Sequence, residues 1–307
     1  MELIPPNTKF DFLGKKKYFI GFSTVMLVLS LLSFATRGLR YGVDFAGGTV
    51  VQLKFQKPVQ TEQIRTALKS VVAGSPVVQS FGSANEYIVQ TEQSTEDLEG
   101  LSKKVRDGLA VALGDPKIEV RRVEMVGPKV GSDLRKKGAL AVVVSMLGIL
   151  FYCWFRFEFS FSAGGVLALF HDILVTLGAV SLLGLEFDLT GLAAILTIAG
   201  YSINDTIVIF DRVRENMRKT GGKGDLETIM NRSVNETLSR SVLTVGTVLL
   251  IAVALFFLGG PVLHNFAFTM LVGVAYGCYS SIYIASPIAL AIAQWRARRR
   301  VTSKAAA

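Results

Sequence analysis

The chain has 307 residues, 50% of them hydrophobic, and a net charge of +9, with only two cysteines and two histidines. So apolar an average argues against a soluble globular chain, two cysteines build no disulfide framework, and two histidines make no His-rich metal site. The apolar residues gather into runs of about 20, long enough to cross a hydrocarbon layer of roughly 30 Å.

In chain order, an N-terminal segment over 1–17 ends in Lys15, Lys16 and Lys17 and leads into a first span over 18–36. Ser33–Ala35 has the small-x-small pattern of a signal-peptide cleavage site. The apolar stretch is long for a signal peptide, so an uncleaved anchor is expected.

Residues 37–137 make one large loop, enough for a small domain. "TVVQLKF" (49–55) alternates as a strand does. Residues 61–72 space Ile64 and Leu68 at helical intervals, with a capping-box-like start at Thr61. Strands over 76–81 and 86–91 are joined by a Gly-Ser-Ala-Asn turn. A second amphipathic helix follows over 94–113, then a strand over 117–126. This βαββαβ order is that of the α+β ferredoxin-like split unit. The loop has no histidine, hence no His-based nucleophile–base pair, and its positive excess is unclustered. A partner-binding or substrate-touching module is expected, with no nucleic-acid surface. Gly47–Gly48 in "GVDFAGGT" serves either a close backbone approach or a plain turn.

Further spans follow over 138–155, 161–184, 189–210, 242–259 and 266–292. The segment 211–241 is expected as a cytoplasmic helical hairpin lying at the membrane surface, and 293–307 as a basic tail. Lys and Arg crowd the N-terminal segment, the connections after the second and fourth spans, and the tail, while "LEFD" and "GPVLHN" have none. That asymmetry puts both termini in the cytoplasm and 37–137 outside. It also accounts for the positive charge without nucleic acid. The fold class expected is a polytopic α-helical membrane protein with six transmembrane helices and one extracytoplasmic α+β domain.

An ionisable side chain at bilayer depth is costly and faces a bundle interior or a wet cavity. Three are candidates. Asp172 follows His171 in mid-span; the pair is either a proton relay or satisfied packing. Asp205 interrupts "AGYSINDTIVIFDRVREN", and Arg240 opens the fifth span in "TLSRSVLT". Thr197, Tyr201, Asn204, Asp205 and Val208 share a helical face, which makes Asn204 and Tyr201 polar support for Asp205; Ser202 is counted with them because its hydroxyl can satisfy backbone groups. Gly200 is expected to allow close helix approach, and Gly273, Gly277 and Ser281 form a packing stripe. Asp205 is then either a hydrogen-bonded structural residue or a proton carrier whose charge state depends on its distance from Arg240.

"GVDFAGGT", "VGPKVGSDL", "LALFHDILVT", "AGYSINDTIVIFDRVREN", "TLSRSVLT" and "YGCYSSIYIASP", in that order, resemble the SecF branch of the bacterial SecD–SecF protein-export family, within the RND superfamily. The resemblance implies a membrane subunit, not an enzyme, without cofactor, powered by the proton-motive force. It implies a SecD partner half, the SecYEG channel, SecA indirectly, and a translocating unfolded chain at the inner membrane. The family's proton-linked carboxylate matches Asp205 and its arginine matches Arg240, while His171–Asp172 falls in the family's His-Asp motif. Two rival classes share parts of this pattern. A small-molecule exporter of the RND type carries larger paired extracytoplasmic domains, and a passive scaffold needs no buried charge.

Overall fold

The computed structural model describes residue 5 and residues 8–305, except 73, 75, 82, 94–96, 222 and 223. Helix α1 (Lys16–Thr36) rises from the lysine cluster and ends where Gly38 takes a positive φ. A two-residue strand β1 (Arg40–Tyr41) and a single turn α2 (Val43–Ala46) lead to the domain. The domain runs β2 (Gly48–Lys54), α3 (Thr61–Leu68), β3 (Val77–Phe81), β4 (Ser83–Thr91), α4 (Leu98–Leu113) and β5 (Glu119–Val126). The βαββαβ order is therefore present, with an antiparallel sheet in the order β3-β4-β2-β5. Strand alternation turns Val51, Leu53 and Val89 inward, where they meet Ile64 and Leu68 of α3 and Leu101, Val105 and Leu109 of α4.

Two local expectations change. Thr61 is the first helical residue of α3 rather than its cap; Gln60 takes the cap position and its side chain makes no capping bond. Ser83–Asn85, expected in a turn, already belong to β4. Part of that turn, Gly82, and residues 94–96 of the expected second helix lie outside the described residues.

After Gly127, Pro128 starts α5 (Pro128–Arg156), so residues 128–137, assigned from sequence to the domain, are the first turns of a helix that continues as the second span. Proline suits that position, where its missing N–H has no helical acceptor to serve. Then come α6 (Phe159–Leu182), β6 (Glu186–Phe187), α7 (Leu189–Lys219), α8 (Leu226–Leu258) and α9 (Gly260–Ser280). A π-helical turn over Ser281–Ala285 joins α9 to α10 (Ser286–Ala305).

Among the described residues six helices are long and apolar enough to cross a membrane, α9 and α10 counting as one. The hairpin expected to lie on the surface is not a separate element. Helix α7 runs unbroken from its apolar half into "DRVRENMRK", and α8 begins in the polar half and runs unbroken into its own apolar run. No proline or glycine interrupts either helix at the change of polarity, so the backbone carries straight on. Asp188 and Asp225 cap α7 and α8 by accepting from the Gly191 and Thr228 amides. The basic tail is likewise helical through Ala305.

The domain is rooted on the bundle at one corner. Strand β1 pairs in parallel with β6, and the Gly42 amide donates to the Phe187 carbonyl. Phe45 of α2 stacks on Phe187, ring centroids 5.8 Å apart, and Asp44 accepts from the Leu189 amide at the start of α7. Here both readings of the paired glycines hold. Gly47 and Gly48 have positive φ, and a Cβ on Gly47 would lie 2.8 Å from the Pro128 Cα, one on Gly48 2.3 Å from the Thr91 carbonyl oxygen.

Candidate functional site

The bundle centre is built on α6, α7 and α9, whose small residues bring the helices together. A Cβ on Gly273 would fall 2.2 Å from Ile198, and one on Gly277 would fall 3.0 Å from Ser202. The stripe on the last span is thus a packing face against α7. Gly200 is not such a contact: nothing lies within 4 Å of where its Cβ would be.

Within this seam Asp172 is fully buried. Its Oδ2 accepts from Ser202 and from Ser280, both at 2.6 Å, and its Oδ1 stands 3.4 Å from His171 Nδ1. One carboxylate therefore ties three helices. Just toward the charged end of α7, Thr206 and Ser281 hydroxyls bond at 2.8 Å, and Ser281 is the first residue of the π-helical turn. Widened turns of this kind are frequent at functional positions. His171 stacks on Tyr276; its Nε2 is buried with no hydrogen-bond partner among the described residues, and the Tyr276 hydroxyl is buried near Ser23. Buried polar atoms of this kind are usually bonded to ordered water.

Asp205 lies on the other flank of α7, 8% exposed. Ser241 of α8 donates to its Oδ1, the Cys278 thiol lies beside the carboxylate, and its Oδ2 is buried with no hydrogen-bond partner among the described residues. Arg240, the neighbour of Ser241, makes no ion pair within 4 Å among the described residues, yet acts on Asp205 through its charge. It opens instead on a cleft of about 730 Å³ that Asn204 and Arg212 also line.

The expected residues thus fall into two groups. Asp205 and Arg240 come together across α7 and α8, and His171 and Asp172 come together on α6. The polar support does not sit where the sequence suggested. Ser202 serves Asp172 rather than Asp205: although one turn apart on α7, the two side chains meet different helices, Ser202 bonding to Asp172 of α6 and Asp205 accepting from Ser241 of α8. Asn204 and Tyr201 are exposed on the outer side of α7 and make no hydrogen bond to Asp205. The residues that do hold the two aspartates, Ser241, Ser280 and Cys278, were not singled out from sequence. The available signal was hydroxyls and a thiol inside apolar runs. Among the described residues no group of acids, histidines and cysteines could hold a metal ion.

Six apolar helices, two aspartates buried among them and a mixed α/β domain rooted at one corner define a polytopic membrane protein with ionisable groups in its core. The chain belongs to the SecD/SecF family of protein-export membrane proteins: residues 109–295 match the family described as protein export membrane protein SecD/SecF, C-terminal, and residues 32–59 match its GG motif. It is 44% identical to the protein translocase subunit SecF of Desulfurispirillum indicum over 293 residues, 94% of this chain and 92% of that one. To the SecF subunit of Escherichia coli O157:H7 it is 39% identical over 289 residues, 94% of this chain and 89% of that one. Among solved structures it is similar to SecDF, a translocon-associated membrane protein from Thermus thermophilus. The TM-score is 0.81 at 36% identity, covering 96% of this chain and 40% of that longer one.

Proposed function

We propose that this chain is the SecF half of a proton-driven export device. Paired with a SecD half, it uses the proton-motive force to assist SecA- and SecYEG-dependent passage of unfolded chains across the bacterial inner membrane. The match to 40% of a joined SecDF chain supports a missing partner half. The arginine-rich ends of α7, α8 and α10 support a cytoplasmic location for both termini, with the sheet domain outside. The strand order of that domain supports a ferredoxin-like assignment.

The observation that carries the reading is Asp205. A carboxylate is held among apolar helices with one oxygen on Ser241, the Cys278 thiol beside it and the other oxygen without a hydrogen-bond partner among the described residues, next to an arginine that is not locked to it. Charged, it draws Arg240 or water inward; neutral, it tolerates a closed bundle. Each protonation state therefore favours a different arrangement of α7 and α8, and a few kcal/mol is enough to shift populations. The proton gradient is the only energy source invoked, and no cofactor or enzymatic step is needed. His171–Asp172 fits a second station of the path, with the buried His171 Nε2 and Tyr276 hydroxyl at its far side. The test is gradient-driven export into vesicles carrying wild type, Asp205→Asn or Arg240→Ala with the partner half. Assembly with loss of gradient-dependent export is expected for both. Full export by Asp205→Asn would favour a structural role for that residue and a scaffold role for the chain.

A further inference from the structure

We propose that the corner between α5, α6 and the polar half of α7 is a binding site for the phosphate headgroup of an anionic phospholipid. The α5 helix ends at Arg156, the chain turns through Phe157 and Glu158, and α6 starts at Phe159. Against this corner α7 projects its polar half, and between them lies a cavity of about 660 Å³. Buried Phe157 and Phe161 form its floor, and Arg156, Arg214 and Arg218 stand around it. Arg156, Arg214 and Arg218 also border the neighbouring cleft that reaches Arg240.

The charge pairing at this end of the bundle leaves two of these arginines over. Asp211 is taken by Arg156 at 2.8 Å, Glu215 by Arg212 and Lys219, and Glu236 by Arg212 and Arg232. Among the described residues neither Arg214 nor Arg218 has a carboxylate within 4 Å, and Arg214 reaches only the Arg156 carbonyl, at 3.3 Å. A guanidinium fork matches a phosphate through paired charge-assisted hydrogen bonds. Glu158, on the same wall, disfavours a second anion deep in the corner.

Position selects a lipid over a soluble anion. The cavity lies where the apolar run of α5 gives way to charge, the level at which headgroups sit. Trp154, Phe155 and Phe159 beside it are 64%, 87% and 53% exposed. Exposed aromatics at that level suit the glycerol and upper acyl region, and basic pockets between membrane helices take anionic headgroups. One guanidinium, that of Arg296, already lies over the Phe159 ring, 5.1 Å from its centroid, adding positive charge at the rim.

The test uses the full chain with Trp295→Phe, which leaves Trp154 as the single tryptophan of the two and a local reporter. Brominated phosphatidylglycerol and brominated phosphatidylcholine are titrated into delipidated protein in detergent, and Trp154 quenching is read. Phosphatidylglycerol should reach half-quenching at a concentration at least tenfold lower. Arg214→Gln/Arg218→Gln should remove that preference while leaving the thermal midpoint in phosphatidylcholine unchanged. If the double variant does not fold, Arg218→Gln alone should still weaken the preference about threefold. Arg214→Lys/Arg218→Lys, keeping charge without the fork, should fall in between. Inorganic phosphate at about 10 mM, where screening is still weak, should not displace the lipid. Equal quenching by both lipids, or an unchanged preference in the Gln variant, would overturn the proposal. Full displacement by phosphate would assign the site to a soluble anion instead. In a separate purification together with the partner half, loss of that half from the Gln variant would assign the corner to a protein contact and equally refute a lipid site.

Discussion

If Asp205 carries the proton, the step it governs must feel the membrane potential in proportion to its depth. Asp205 lies about 16 residues beyond Leu189, where α7 begins, which at about 1.5 Å per residue is roughly 24 Å along the helix. Against a hydrocarbon thickness of roughly 30 Å, a proton arriving from the Leu189 side crosses about four-fifths of the field. One elementary charge is worth about 2.3 kcal/mol per 100 mV across the whole membrane, so protonation of Asp205 gains about 1.8 kcal/mol. That is roughly a 20-fold change in the protonated-to-charged ratio for each 100 mV. Asp205→Asn can keep the acceptor for Ser241 through its amide oxygen, so packing changes little, but nothing titrates. Export into vesicles should be measured while potassium and valinomycin set the potential at fixed pH. The wild-type rate should rise steeply over the first 100 mV and the Asn variant should be flat. A variant that responds to potential as the wild type does would refute the reasoning, because the voltage-sensing charge would then lie elsewhere.

Phe45→Ala empties a site only 2% exposed that joins α2 to Phe187. It should cost about 3–5 kcal/mol, read as a lowered thermal midpoint in detergent, with Phe45→Leu milder. Gly273→Ala drives a methyl onto Ile198 and should cost about 1–3 kcal/mol. Ile198→Ala in the same chain should recover part of it, and strict additivity in that double-mutant cycle would deny the contact. At the outer corner, burial pushes the Glu186 carboxyl up, against the pull of Arg40 and with help from Asp188. A raised folded value means stability that is present at low pH and lost as pH rises through it. Glu186→Gln should therefore raise the thermal midpoint at pH 8 and have little effect near pH 4.5, and an equal effect at both would argue against the shift. Residues 37–127 carry their own core of Val51, Leu53, Ile64, Leu68 and Leu109 and should melt cooperatively as an isolated fragment. A disordered circular-dichroism spectrum would contradict that.

The sequence by itself determined the spans and the elements of the domain, because both are written in local periodicity. Runs of apolar residues have no soluble alternative, and alternation in "TVVQLKF" or the spacing of Ile64 and Leu68 reports which face each element buries. It also located Asp205, Arg240 and Asp172, since a charge inside an apolar run stands out without any knowledge of its neighbours. What those charges touch was another matter. Hydrogen bonds from Ser202 and Ser280 to Asp172, and from Ser241 to Asp205, join residues 30 to 108 positions apart, and no local pattern encodes how helices rotate against one another. Asn204 and Tyr201 looked like partners of Asp205 on a helical wheel; the packing of α7 against α8 and α9 leaves them on its outer side. Likewise, no residue type announces the π-helical turn at Ser281–Ala285, and the change from apolar to charged sequence suggested breaks in α7 and α8 where the backbone has none. Helical hydrogen bonds are indifferent to side-chain polarity, so only the tertiary structure decided where these helices end and which face of each meets its neighbours.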